Sequence, residues 1–180
     1  PSGRTRYFPD GDVFKSWNAD DRYAGFILVS QNCFNSLLAT ASAPYGINFR
    51  PGSYLVKRSS PNPVGDQLYV VEPGNTLAKI SPAVAFSLYG KNYQVKVAAD
   101  VFWSNYVNRG SDLMTARAHP GMLLRVGAGF KYVNADGSVS DVTTAGFGAN
   151  RFRLNFARTV ATPTYAGLPV GATIDREISA

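Results

Sequence analysis

Three short clusters, Phe8-Pro9-Asp10-Gly11-Asp12, Glu72-Pro73-Gly74-Asn75 and Val133-Asn134-Ala135-Asp136-Gly137, each interrupt runs in which apolar and polar residues alternate, and Tyr89-Gly90-Lys91-Asn92 is nearly as clean. Gly, Asn and Asp reach positive φ at little cost, and Pro presets the first turn position, so clusters of this kind read as β-hairpin turns. Four of them in 180 residues constrain the chain to an antiparallel, all-β arrangement. Composition agrees. Charged residues are 17%, aromatics 13%, and there are 17 Gly and 11 Pro, a mixture that suits short strands better than helices. With 45% hydrophobic residues the chain has a core to bury, and most of it is expected to be folded.

Along the chain, Arg4–Phe8 and Val13–Trp17 flank the first turn as an N-terminal hairpin or arm, and Phe26–Ser30 is a short apolar strand. Gln31–Ala43 places Phe34, Leu37, Leu38 and Ala41 at helical spacing, with Pro44 to end it. Tyr54–Arg58 is a strand, followed by an exposed loop, Ser59–Asp66. Gln67–Glu72 pairs with Thr76–Ile80, and Ala83–Tyr89 with Tyr93–Trp103, as two hairpins. A long connection, Asn105–Gly121, carries one helical turn at Asp112–Arg117 capped by Ser111. Met122–Val133 then pairs with Ser138–Thr144. Arg151–Val160 is the last strand, with Phe152, Leu154 and Phe156 inward, and the tail from Thr162 runs over the surface. The pattern predicts one domain over 1–180: an antiparallel β-sandwich, jelly-roll-like, with irregular arms and one or two short helices in connections. An up-and-down barrel is the second choice.

The chemistry available is sparse. One cysteine, Cys33, rules out an intrachain disulfide and a Cys-based zinc site. It lies beside Phe34 and is expected to be a buried, inert thiol. The one histidine, His119, sits in the turn Ala118-His119-Pro120-Gly121 and is expected to be hydrogen-bonded or solvated. A Cys33–His119 dyad requires the fold to bring the two together, and no G-x-S-x-G elbow exists. Asn134–Asp141 is oxygen-rich like a calcium loop but lacks the closing Glu, so hairpin geometry explains it. Asp10, Asp12, Asp20 and Asp21 read as turn and cap residues before they read as a calcium site or a glycosidase pair. Gly127-Ala128-Gly129 and Gly146-Phe147-Gly148 lack the third glycine of a phosphate loop and mark bulges or close approaches. No cofactor and no metal are expected.

The net charge is +6, but the 18 Lys and Arg are dispersed, and Lys57-Arg58 is the one adjacent pair. A nucleic-acid partner is possible on charge and unsupported by clustering; Lys131, Arg151 and Arg153 are the candidates for a basic face. The longest apolar stretch, Ala24–Val29, is a strand's length rather than a membrane span. The start at Pro1, without Met or an apolar leader, is expected of a processed product, an excised domain or a fragment. Trp17, Trp103, Tyr106, Arg109 and Tyr165 lie at turns or strand ends and are the candidate partner or ligand contacts, although such aromatics also plug the ends of a sandwich. The expectation is a non-enzymatic, self-assembling structural subunit, as in a viral capsid or virion surface. Its partners would be copies of itself or sister subunits, with a host-surface receptor or glycan as a further contact, in a virion or outside the cell. The alternative is a carbohydrate-binding or adhesin module, and behind it a hydrolase using paired carboxylates.

Overall fold

The structure, a computed structural model, describes residues 8–18, 28–38, 46–59, 67–109 and 111–178. The Glu72-Pro73-Gly74-Asn75 cluster makes the hairpin that its sequence predicts. Strands β2 (Leu68–Glu72) and β3 (Thr76–Ile80) pair antiparallel, with Leu68 opposite Ile80, and both Gly74 and Asn75 take positive φ at the turn. Strand β1 (Leu55–Arg58) lies antiparallel beside β2, as expected of Tyr54–Arg58. From here the antiparallel expectation fails. Strand β4 (Val95–Ala98) runs parallel to β1, and the two-residue β5 (Val107–Asn108) runs parallel to β3. The five-stranded sheet has the order β4-β1-β2-β3-β5.

Parallel neighbours need a crossover, and a helix supplies it. Ala83–Tyr89, expected as a strand, belongs to helix α3 (Pro82–Tyr89). Ser81 caps it by accepting from Val84 N, Pro82 opens it, and Gly90 closes it at φ 80. Those end signals outweigh the strand-like look of its apolar residues. Tyr93–Trp103 is not one long strand either: it divides into β4 and a helical turn, α4 (Asp100–Trp103).

The second sheet, in the order β8-β7-β6-β9, contains β6 (Leu123–Val126), β7 (Gly129–Val133), β8 (Val139–Val142) and β9 (Arg158–Thr159). The predicted hairpin at Asn134–Gly137 forms between β7 and β8. Asp136 Oδ1 accepts from Ser138 N and Oγ, and Asn134 Nδ2 donates to the hydroxyls of Ser138 and Ser140. A turn that was not expected splits Met122–Val133 at Gly127-Ala128, with Gly127 at φ 59. Strand β9 is parallel to β6, so this sheet is mixed as well. Greek keys are antiparallel throughout, so the two mixed sheets do not form a jelly roll. The result is a β-rich fold with several short helices.

Other expectations are corrected in the same way. The first turn cluster opens a helix, α1 (Gly11–Trp17), because Asp10 Oδ1 caps Val13 N at 2.8 Å; Arg4–Tyr7 lies outside the described residues. Helix α2 (Gln31–Leu38) is present, and the remainder of the predicted helix to Ala43 lies outside the described residues. So do Phe26 and Ile27 of the predicted strand, whose last three residues are not extended into a sheet, and all of the Ser59–Asp66 loop except Ser59. Asp112–Arg117 forms no helical turn; instead Leu113 bridges Ile80 and donates to the Lys79 carbonyl. Arg151–Val160 is mostly not strand. Phe152 and Phe156, four residues apart, are buried around a 3₁₀ turn at Leu154–Phe156, and Leu154 is left 66% exposed. Gly146-Phe147-Gly148 lies in a helix, α5 (Thr144–Ala149), and Gly146 is the close approach expected there, since a Cβ on it would sit on the Ile174 carbonyl oxygen. The tail does not simply cross the surface: Val139 N donates to Pro169 O and Ile174 N to Asp141 O, lining the edge of β8.

Alternation in the first sheet splits its side chains between two cores. Leu55, Val70, Ala78 and Ile80 meet α3 and, from the second sheet, Leu124, Val133 and Val139 in one cluster. Val56, Val71 and Leu77 face the opposite way, onto Val13 of α1, Phe49 and Phe156. The sheet is therefore covered on both faces, which is why its strands read as near-continuous apolar runs. The other face of the second sheet buries Leu123, Val142, Phe152 and Ile174.

The two sheets are joined where Gly52, at φ 70, meets Gly121, at φ 88. Gly52 N donates to Val71 O in the first sheet and Gly121 N to Val133 O in the second. A Cβ on Gly52 would sit on the Gly121 carbonyl oxygen, whereas one on Gly137 (φ 83) would meet open space. Gly52→Ala is expected to lose roughly 3 kcal/mol or more, from strain and backbone collision together, and Gly137→Ala about 1 kcal/mol from strain alone. Urea denaturation of both variants checks this; equal losses would rule out the close approach as the difference.

Candidate functional site

Burial singles out a polar cluster in the seam between the sheets. Glu72 ends β2 with 5% of its surface exposed, His119 precedes β6 at 1%, and Tyr89 ends α3 at 8%. The Tyr89 hydroxyl is bonded to His119 Nε2, and His119 Nδ1 lies 3.0 Å from the Pro120 carbonyl oxygen. A carbonyl can only accept, so Nδ1 carries the proton; Nε2 then accepts from Tyr89. Glu72 Oε1 is 3.8 Å from Nδ1 and takes a 2.8 Å ion pair from Arg109. Arg158, from β9, lies with its guanidinium carbon 5.1 Å from the centre of the Tyr89 ring.

Burial dominates the electrostatics of these groups. It pushes the His119 imidazole down to about 4, so the ring is neutral at pH 7. It lifts the Glu72 carboxyl above its ordinary value, against the pull of Arg109, and raises the Tyr89 phenol, against the pull of Arg158. Proton-donating and proton-accepting groups are in contact here, but they sit inside the core, and the arrangement holds the seam together rather than presenting a base to solvent.

A second constellation is cationic. Arg50 donates through Nη1 to Arg151 O and through Nη2 to Asn150 O, both at 2.8 Å, satisfying carbonyls just beyond the C-terminus of α5. Its guanidinium carbon lies 5.6 Å from the ring of Trp17 and 4.7 Å from that of Phe152. Arg158 Nη2 reaches Ser53 O at 3.4 Å, and its Nε, though buried, has no hydrogen-bond partner among the described residues. Burial lowers the pKa of both guanidiniums, and among the described residues neither is paired with a carboxylate. Between them Arg50, Gly52, Gly121, Leu123, Phe152 and Phe156 line a cleft of about 10 Å³, room for one water-sized sphere.

The five contact residues expected from sequence fall into three places. Trp17, Trp103 and Tyr106 pack against the core on the α1 side of the first sheet. Trp17 Nε1 donates to Asn48 O at 2.7 Å, the Tyr106 hydroxyl accepts from Phe49 N, and Trp103 lies 5.3 Å from Tyr69 and 5.9 Å from Tyr106, ring centre to ring centre. Tyr165 packs on the inter-sheet core, and exposed Arg109 pairs with Glu72. Lys131 pairs with Asp141 at 2.6 Å, and Arg153 Nη1 donates to Lys15 O.

Cys33 is exposed on α2, against the expectation of a buried thiol; His119 is hydrogen-bonded, as one of the two expected roles has it, but buried, and its partners are Tyr89 and Pro120, so the two form no dyad. Among the described residues no group of three His, Cys, Asp or Glu side chains is placed to hold a metal. Among those residues, too, no helix is long and apolar enough to cross a membrane. Glu72, Tyr89, Arg50 and Arg158 were not expected. The one usable signal was Glu72, a carboxylate ending the apolar run Leu68-Tyr69-Val70-Val71. Comparison of the chain with protein-family models, curated proteins and solved structures gives no match.

Arg50 is expected to be irreplaceable by lysine. An ammonium on a flexible stem cannot bond two carbonyls in one plane while stacking on two rings. Arg50→Lys should cost about 1–3 kcal/mol in urea denaturation, and Arg50→Met no less, since it abandons both carbonyls. A Lys variant as stable as the parent would show that charge alone is what the position needs.

Proposed function

We propose that the protein is a structural subunit that assembles with copies of itself or with sister subunits, as in a viral capsid or virion surface, its two sheets stacked as a β-sandwich. The observation that carries this reading is the state of the first sheet's edges. Its end strands, β4 and β5, carry Val97 at 49% exposure and Val107 at 62%, and Val101, just past β4, is 74% exposed. Exposed apolar side chains on an edge strand invite pairing with another chain, and of the two edge strands only β4 carries a charge, Lys96, which is paired with Asp12. The edge of β8 differs, because the chain's own tail covers it. Closed shells are built from contacts between copies of one chain, isologous or heterologous.

Support also comes from how the reactive groups are used. Tyr89 bonds His119 in the seam, Glu72 pairs with Arg109, and Arg50 bonds carbonyls, so each has a structural task. On this reading the protein is not an enzyme, needs no cofactor and works in a virion or outside the cell. A carbohydrate-binding module is the second reading, favoured by the half-buried Trp103–Tyr106–Tyr69 group.

Sedimentation and negative-stain microscopy test the assembly. The parent should form oligomers that grow with concentration, and Val97→Lys or Val107→Lys should weaken association about tenfold or more while leaving the fold intact. A strictly monomeric particle at high concentration sinks the proposal. Glycan-array binding lost in Trp103→Ala would move the assignment to the second reading.

A further inference from the structure

We propose that the Glu72–His119–Tyr89 cluster is an acid-sensitive latch between the two sheets, which opens when His119 takes up a proton. The inference stands on the placement of the groups and does not depend on the assembly reading.

The cluster brings three elements together: the crossover helix α3 through Tyr89, bonded to His119 at the entry to β6 of the second sheet, and β2 of the first sheet through Glu72, whose Oε1 lies 3.8 Å from His119 Nδ1; the His119 carbonyl accepts from Met122 N at 3.2 Å. In the neutral state each hydrogen has one acceptor. His119 Nδ1–H donates to Pro120 O, and the Tyr89 hydroxyl donates to Nε2. A proton arriving on Nε2 turns that nitrogen into a donor, so the Tyr89 oxygen must accept. Its own hydrogen then points at no acceptor among the described residues, and a buried, unsatisfied donor is unfavourable.

Charge acts in the same direction. The charged groups facing His119 are Glu72, Arg109 and, across the Tyr89 ring, Arg158. Glu72 is already paired with Arg109 at 2.8 Å, and Arg158 has no described carboxylate partner. The imidazolium would therefore be a third cation against one carboxylate, in a site where His119 exposes 1% of its surface.

The sign follows from linkage. Burial holds the His119 pKa at about 4 in the folded chain, below the ordinary 6.5 of an unfolded one. Its stabilising effect is thus full above pH 6.5 and is lost progressively as pH falls toward 4. Glu72, raised in the folded chain, works oppositely: its protonation favours the folded state as pH falls through its folded value. The two effects oppose each other, so the His119 effect is the difference between the parent and a chain without the imidazole. On that difference the unfolding equilibrium constant should rise as pH falls below 6.5, by up to about tenfold per unit, the limit for one proton.

The chain has one histidine, which makes a site-specific probe available. Urea denaturation at pH 7.5, 6.5 and 5.5 should show the unfolding constant rising more steeply in the parent than in His119→Gln. A Gln variant with the parent's slope overturns the proposal. Should the Gln variant fail to fold, the ¹⁵N resonances of the lone imidazole in the parent decide. A neutral Nδ1–H ring in the folded chain at pH 5.5, converting to imidazolium only with unfolding, supports the latch; a protonated ring in a folded chain at pH 5.5 overturns it.

Discussion

Everything in this fold turns on one backbone contact, that of the Pro51-Gly52 turn against Gly121-Met122. Each turn donates a hydrogen bond into its own sheet, Gly52 to Val71 and Gly121 to Val133, and each would be blocked by a side chain. The sheets can approach there only because both positions lack a Cβ. Once they do, Met122 and Leu124 come against Val70 and Ala78 in a shared core, and His119, two residues before Gly121, is carried into the seam. The packing and the buried polar cluster are consequences of the same closeness.

Polar burial on this scale demands compensation, and the chain provides it unevenly. Glu72 has Arg109, and the imidazole of His119 has one partner on each nitrogen. Arg50 has carbonyls and two rings instead of a carboxylate; that geometry suits a planar guanidinium and keeps it solvated in effect by peptide dipoles. Arg158 is the least satisfied, with a buried Nε that has no described partner. Specificity is the natural reading of such sites, since hydrophobic side chains would pack the same space without fixing how the sheets are oriented.

How much of this was legible in the sequence depends on whether the deciding interaction was local. The turns at Pro73-Gly74-Asn75 and Asn134–Gly137 were, because their geometry is set by the residues in them. Asp10-Gly11 misled, since the same Asp serves a hairpin or a helix cap and only the packing of Val13 and Phe14 decides. Ala83–Tyr89 misled for the converse reason: its apolar content resembles a buried strand, and Ser81-Pro82 with Gly90 were the helix signals to weigh. Parallel pairing was out of reach, because no local pattern states which strand lies next to which. The seam cluster was equally hidden. Glu72 and His119 are 47 positions apart in the sequence, and their meeting is a property of the closed seam. The turn around His119 is visible in the sequence; its burial is not.

Among the described residues the two sheets draw on separate continuous stretches, 55–108 for the first and 123–159 for the second, with no strand exchanged between them. Both contain a tight hairpin, β2–β3 in the first, and they differ in how much of the remaining pairing is local. The second contains two consecutive hairpins, β6–β7 and β7–β8, whose loops close over a few residues, and such local pairings form early. The first needs two crossovers before β4 and β5 find their neighbours, which are slower steps. The first sheet thus depends more on pairings distant in sequence, and the face it turns to Leu124, Val133 and Val139 is covered only by docking of the second sheet.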